Sequence, residues 1–330
     1  MGKKVLYIGS FPPPYGGVTI KNELVFSFLK ENGIEMISFH KKGRIKSFFY
    51  YFFKSFACHQ FVFGMSTKTF SKLFLLLGIL HPIKIKRSVI IAMGGIFPDL
   101  IRKKRMLKKL LSKSRGILVE TTLMKTKMEY MGFNNCDVFP NCRNRPSLPL
   151  VPSSNDGLRC LYFSRISKDK GASFVLEAAS VLPDVDFDFY GAIDSLFAAG
   201  FNKTISSLKN CNYLGECVAK GMDLYLILNK YDVLLFPSMW NGEGVSGALV
   251  EAKIAGLPAI VTDWNYNPVV VGDNIDGIVM KTNDFSGIVG AICRLKDDRL
   301  FLTRLKENAY KNGQKYYIDS YRDLFIKMIG

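Results

Sequence analysis

Histidine is nearly missing from this chain. Only His40, His59 and His81 occur in 330 residues, and none has the helical H-x3-H spacing that brings two imidazoles to one metal. A zinc enzyme is therefore not expected. The seven cysteines are an odd number with no C-x-x-C pair, which argues against a zinc ribbon or a disulfide framework and fits reduced thiols in a cytosol. No run of about twenty apolar residues exists, so no membrane-spanning helix is expected. The N-terminal MGKKVLYIGSFPPPYGG has too short an apolar run for a signal peptide, and glycine and proline follow at once. Neither a G-x-S-x-G nucleophile elbow nor a Walker sequence occurs. Acidic residues are scarce in one half only. Residues 1–150 hold 26 Lys and Arg against 7 Asp and Glu, whereas 151–330 hold 19 against 21. The whole cationic excess lies in the first half, which seeks an anionic partner: nucleic acid, an acidic substrate or an anionic membrane.

What is present is hydrophobic patterning long enough for two domains. Short buried strands are expected at Lys4 to Gly9, Ser88 to Met93, Gly116 to Glu120 and Cys136 to Pro140, with helices over Val18 to Glu31 and Met124 to Met131. Gly43 to Phe63 is crowded with aromatics and interleaved with Arg44, Lys46 and Lys54. Read as a helix, it is either a buried core element or an aromatic, basic face suited to a membrane's headgroup level. Arg102 to Arg115 reads as one basic helix, for acidic lipid or for solvent; no recognised RNA- or DNA-binding signature accompanies it, and nucleic acid is not expected as a partner. Arg143 to Asp156 holds three prolines and little periodicity, as a linker does. After it the pattern restarts, with strands at Leu158 to Phe163, Val185 to Tyr190 and Cys211 to Leu214. Two βα-rich halves, 1–150 and 151–330, predict two doubly wound α/β domains facing a cleft, with room for the last helix to pack back on the first domain.

The stretch from Tyr231 to Trp264 is the most informative. YDVLLF is a strand buried on both faces, NGEGVSGALVEAKIAG a glycine-rich loop running into a helix, and LPAIVTDW a second strand. In parallel sheets ligands sit outside the carboxyl ends of strands, beside helix N-termini, and this loop holds that place. Glu243 and Glu251 frame it at E-x7-E spacing. Two acids beside an anion site suit sugar or ribose hydroxyls; a surface-loop glutamate and a solvated helix glutamate are the plainer alternative. Gly16 and Gly17, before the first helix, form a second candidate loop where backbone can approach a ligand closely. Arg165 and Lys170 share one loop after a strand and can neutralise a departing diphosphate. Asp184, Asp186 and Asp188 resemble a D-x-D metal motif, but they alternate with Val185, Phe187 and Phe189 as one face of a half-exposed strand does. Gly242, Gly244 and Gly247 spell G-x-G-x-x-G with Asp263 beyond, the dinucleotide fingerprint, although Pro237 to Asn241 separates them from the strand end.

Four stretches resemble, in order, the motifs of the retaining glycosyltransferases of family 4: YFSRISKDKG, FDFYG, the long E-x7-E segment and NPVVVGDNIDGIVM. FPPPYGG and VFPNCRN in the first half are weaker matches. The resemblance implies a GT-B fold of two Rossmann-like domains. It implies that Arg165 and Lys170 hold the donor diphosphate and that Glu243 meets the hydroxyls of the transferred sugar. Gly244, Val245 and Ser246 would offer N–H groups to sugar or phosphate, Glu251 would bind ribose, and Gly16 and Gly17 would approach donor phosphates and acceptor. It further implies retention of configuration with no metal or cofactor, a nucleotide-sugar donor, and a glycan or lipid-linked acceptor at the cytoplasmic membrane face. Three departures leave sugar and acceptor open: Val245-Ser246 replaces Phe-Gly, Asn267-Pro268 replaces Pro-Glu, and Met93-Gly94-Gly95 stands where many members place a histidine. Two alternatives remain beside this reading. One is an NAD-dependent oxidoreductase or epimerase using Gly242-Gly244-Gly247. The other is a non-catalytic nucleic-acid- or lipid-binding module built on the basic half.

Overall fold

The computed structural model describes residues 4–13, 16–38, 53–150 and 155–329. The chain divides into two compact units, 1–144 with 317–330, and 145–316. The first therefore takes in a C-terminal segment that a single cut at 150 would leave with the second.

In the first unit, β1 (Val5–Gly9), β2 (Met36–Ser38), β3 (Gln60–Ser66), β4 (Val89–Met93), β5 (Gly116–Val119) and β6 (Cys136–Val138) form one sheet in the order β2-β1-β3-β4-β5-β6. Every pairing is parallel. The direction of winding reverses between β1 and β3, so the crevice that binds ligands in such sheets opens at their carboxyl ends. The helix Gly17–Glu31 is seated there by Asn22. Its amide donates to the carbonyls of Ser10 (2.8 Å) and Gly64 (2.7 Å), and its oxygen accepts from the Tyr7 hydroxyl (2.8 Å). A Cβ on Gly64 would lie 2.0 Å from that oxygen, which is why β3 carries glycine where the helix crosses it. The last helix, Arg322–Ile329, completes this unit's core. Phe325 lies edge-on to Phe139 at 4.9 Å, and the Gln60 amide donates to the Met328 carbonyl.

Two sequence expectations are corrected here. The tail of the aromatic stretch is not helical: within 43–63, residues 53–57 are helical but β3 begins at Gln60. Phe61, Val62 and Phe63 are wholly buried, and a strand buried on both faces shows no alternation to distinguish it from a helix. Residues 39–52 lie outside the described residues. The single basic helix is two, Phe97–Arg102 and Arg105–Leu111. Ile101 and Leu107 are both buried, yet six residues apart they would point to different sides of one straight helix. Breaking the helix lets both reach the core.

In the second unit, β7 (Arg159–Phe163), β8 (Asp186–Tyr190), β9 (Cys211–Tyr213), β10 (Val233–Phe236), β11 (Ala259–Thr262) and β12 (Gly277–Met280) form a parallel sheet in the order β12-β11-β10-β7-β8-β9. This is the dinucleotide-fold order, and its reversal falls between β7 and β10. The base of that seam is fixed by Asp232, which is fully buried. It accepts from Lys306 Nζ (2.7 Å), the Arg159 N–H (2.9 Å) and Asn155 Nδ2 (3.0 Å). Asp188 departs from a half-exposed face: it is buried and holds Tyr231, Asn212 and Arg159, so it serves the sheet.

Candidate active site

The loops that leave β7 and β10 at the reversal carry the chemistry. After β7 the chain runs through 164–171 into the helix Ala172–Val181. Three features fold this loop inward. The Tyr162 hydroxyl, itself buried, donates to the Arg165 carbonyl at 2.8 Å. Gly171 has φ +74°, and a Cβ there would sit 2.3 Å from the Pro237 carbonyl oxygen. The Met239 N–H donates to the Asp169 carbonyl at 2.9 Å, tying the β7 loop to the β10 loop. Gly191 closes the other side with φ +149°; a Cβ there would fall 1.9 Å from the Ser164 carbonyl oxygen.

Lys170 and Glu243, separated by 73 positions, meet in this frame. Lys170 Nζ donates to Glu243 Oε2 at 2.5 Å; Glu243 is buried and Lys170 is half-buried, its side chain 11% exposed. The Ser238 hydroxyl donates to the same oxygen at 2.7 Å. Behind Ser238 stands a buried relay: Thr262 donates to the Ser238 carbonyl (2.6 Å), and Asn267 Nδ2 donates to the Thr262 hydroxyl (3.2 Å). Among the described residues only Oε2 of Glu243 is engaged. A buried pair of this kind must recover its desolvation through close geometry and added hydrogen bonds, and a ligand supplies further partners. Arg165 lies at the loop's exposed edge, paired to Asp169 at 2.8 Å. An exposed pair is worth little and yields to a multiply charged anion. Each expected cation thus already holds a carboxylate.

Beyond Glu243 the loop continues through Gly244 and Val245, both buried, to Ser246, the N-cap of the helix Gly247–Ile254. The Ser246 side chain makes no cap hydrogen bond. Glu251 lies half-buried within that helix. Asp263, where a dinucleotide fingerprint would need a ribose acceptor, is instead tied to Thr282 and Lys281. Those contacts hold its carboxyl down at about 2, the Thr282 hydroxyl contributing most.

Gly16 and Gly17 belong to the other unit, after β1. Both are exposed, neither has a left-handed φ, and a Cβ on either would meet nothing within 4 Å. Among the described residues, packing therefore gives no reason for glycine there. Sequence reading missed Ser238, Trp240, Thr262 and Asn267. Ser238 and Trp240 stand inside the motif itself, but the Ser238–Glu243 bond is an irregular loop contact and the Lys170–Trp240 contact is made across the fold, so neither leaves a spacing to read.

Residues 151–312 match the sequence model of the family described as glycosyl transferases group 1. The Escherichia coli UDP-Gal:alpha-D-GlcNAc-diphosphoundecaprenol alpha-1,3-galactosyltransferase is 33% identical over 111 residues, 32% of this chain and 28% of that one. The amylovoran biosynthesis glycosyltransferase AmsK of Erwinia amylovora is 24% identical over 161 residues, 45% of this chain and 38% of that one. The chain thus spans well under half the length of these curated relatives. Among solved structures, HepE of Anabaena, in complex with UDP and glucose, superposes with a TM-score of 0.74 at 12% identity, covering 100% of this chain and 99% of that one. That likeness shows the fold: GT-B, with two Rossmann-like domains.

Proposed function

We propose that this protein transfers a hexose from a nucleotide-diphosphate sugar to a glycan or lipid-linked acceptor, a reading supported by the match of residues 151–312 to the glycosyl transferases group 1 model. The observation that carries the reading is the Lys170–Glu243 pair at the reversal of the second sheet, with Arg165 at its edge. The incoming diphosphate draws Arg165 from Asp169 and Lys170 from Glu243. Glu243, still held by Ser238, then accepts from hydroxyls of the sugar. N–H groups of Gly244, Val245 and Ser246 face sugar or phosphate at the helix start, and Glu251 takes the ribose hydroxyls.

The reaction proposed retains configuration. The acceptor hydroxyl oxygen bonds to the anomeric carbon on the face from which the diphosphate leaves. The bond from that carbon to the phosphate oxygen breaks, and the departing phosphate takes the hydroxyl proton. Arg165 and Lys170 compensate the growing negative charge, so neither metal nor resident cofactor has a step. The E. coli relative's undecaprenol-linked acceptor and the basic first half support an acceptor at the cytoplasmic face of an anionic membrane.

A panel of UDP-, GDP-, ADP- and TDP-hexoses, read by thermal shift and by slow donor hydrolysis, tests this. One nucleotide should raise the melting temperature. Arg165→Ala should lower turnover by about 100-fold or more, and Glu251→Ala should weaken the parent diphosphate by about tenfold. No response to any nucleotide, with both variants like wild type, overturns the reading.

A further inference from the structure

Trp240 is held by its backbone while its side chain stays partly exposed. Its carbonyl accepts from the Glu243 N–H (3.0 Å), Trp264 Nε1 (3.0 Å) and Asn265 Nδ2 (3.3 Å). Asn265 makes its contact from a left-handed φ of +49°. Three donors on one exposed-loop carbonyl fix where the side chain begins. The ring then lies over Gly242, where an added Cβ would be 2.6 Å from Cζ2. The Lys170 ammonium stands 4.6 Å from the ring centroid. The residue is nevertheless 42% exposed, large for a tryptophan whose backbone is so constrained. Among the described residues, neither burial nor an indole hydrogen bond accounts for its identity. The glycine beneath it leaves room for the ring, and the ring reaches the same lysine that pairs with Glu243.

A hexopyranose has two kinds of surface. Its hydroxyl rim wants carboxylate oxygens such as those of Glu243. Its C–H face wants an apolar plane, and an aromatic face supplies one with the negative quadrupole that C–H groups and ammonium ions both favour. Because Lys170 touches both Glu243 and the Trp240 ring, one sugar held by the carboxylate at its rim is within reach of the ring at its face. We propose that Trp240 is the stacking platform for the transferred hexose and a determinant of which hexose is accepted. This rests on the donor-site reading above. While the site is empty the ring shares the Lys170 charge, and when a diphosphate draws Lys170 away the sugar takes the lysine's place on the ring.

The test compares the nucleotide hexose giving the largest thermal shift in that panel with its parent diphosphate, by calorimetric titration of wild type, Trp240→Phe and Trp240→Ala. The gain in affinity that the hexose brings should fall about three- to tenfold in Trp240→Ala. Trp240→Phe should keep most of it, and the diphosphate alone should bind all three within about twofold. Wild-type tryptophan emission should shift with the nucleotide hexose more than with the diphosphate, and Trp240→Phe should lose that difference. The emission arm needs no alanine variant to fold. An unchanged hexose gain in Trp240→Ala overturns the proposal. So does an equal loss for hexose and diphosphate, which would make the ring a prop for Lys170, or an effect confined to the acceptor's KM. If wild type binds no nucleotide at all, the donor-site reading itself fails.

Discussion

Glu243 accepts hydrogen bonds from an ammonium and from a hydroxyl on the same oxygen. Removing the ammonium alone leaves a buried carboxylate without its counter-charge, which typically costs about 3 kcal/mol or more, whereas removing both charges costs much less. Lys170→Met should therefore lower the melting temperature of the second unit by about 6–12 °C. Adding Glu243→Gln should recover most of that loss, while transferase turnover stays abolished in both. A double variant as unstable as the single one would show that the pair does not act as a unit, and differential scanning calorimetry reads it directly. The residues of this pair were legible in the sequence because each follows a short apolar run that ends at a loop. Their partners were not. Ser238, Thr262 and Asn267 form a relay that runs between strands, and such contacts have no period. Asp188 was misread for the converse reason: its alternation with Phe187 and Phe189 is real and Asp186 on the same face is exposed, but Arg159, Asn212 and Tyr231 cover that face at Asp188 itself.

The strands that apolar runs predict for the second sheet stand within a residue or two of where those runs place them. The exceptions in the first unit, β3 and the broken basic helix, fall where buried residues surround an element on more than one side. Two glycines separate backbone necessity from mere tolerance. At Gly191 a side chain meets the Ser164 carbonyl and a left-handed φ, so Gly191→Ala should displace the loop bearing Arg165 and Lys170. It should destabilise by roughly 3 kcal/mol and weaken nucleoside diphosphate binding along with stability. Gly200, inside the helix Ala198–Ser207, meets nothing, and Gly200→Ala should stabilise by about 0.5–1 kcal/mol with activity unchanged. Equal behaviour of the two variants in urea unfolding would refute the distinction. A second device joins the ends of β11 and β12: Asp263 accepts from the Thr282 N–H and hydroxyl and from Lys281. Its carboxyl lies at about 2, below the ordinary value of about 4 that it regains on unfolding. The stabilisation is therefore complete above pH 4 and fades as pH falls towards 2. The melting-temperature deficit of Asp263→Asn should be constant from pH 7 to pH 5 and narrow below pH 4; a deficit that ignores pH would mean the staple is not electrostatic.

At the scale of the molecule, charge follows the division into units. The unit 1–144 with 317–330 holds 27 Lys and Arg against 9 Asp and Glu, and 145–316 holds 18 against 19. No described helix is long and apolar enough to cross a membrane. The basic unit nevertheless exposes large apolar side chains in one neighbourhood: Phe53, Phe56, Ile79 and Ile83 are between 57% and 75% exposed. Phe56 packs edge-on to His81 at 4.5 Å, and Lys84 Nζ donates to the carbonyls of Ser55 (2.6 Å) and Phe56 (2.8 Å). These contacts pin the short helix at 53–57 to the helix Pro82–Lys86, with Ile79 and Ile83 on either side of His81. Apolar residues that enter a headgroup layer, surrounded by cations each worth about 1 kcal/mol against an anionic surface, make binding depend on both lipid charge and salt. The protein should co-sediment with vesicles containing phosphatidylglycerol and not with phosphatidylcholine alone. Binding should fall steeply between 50 mM and 500 mM salt, as screening shortens from above 10 Å to about 4 Å. Phe56→Ser with Ile79→Ser and Ile83→Ser should weaken binding at least about tenfold while leaving turnover on a water-soluble acceptor intact. If neutral vesicles bind as well as anionic ones, or if single-stranded RNA displaces the protein from them at stoichiometric concentration, the basic unit serves another partner and the acceptor need not lie in a membrane.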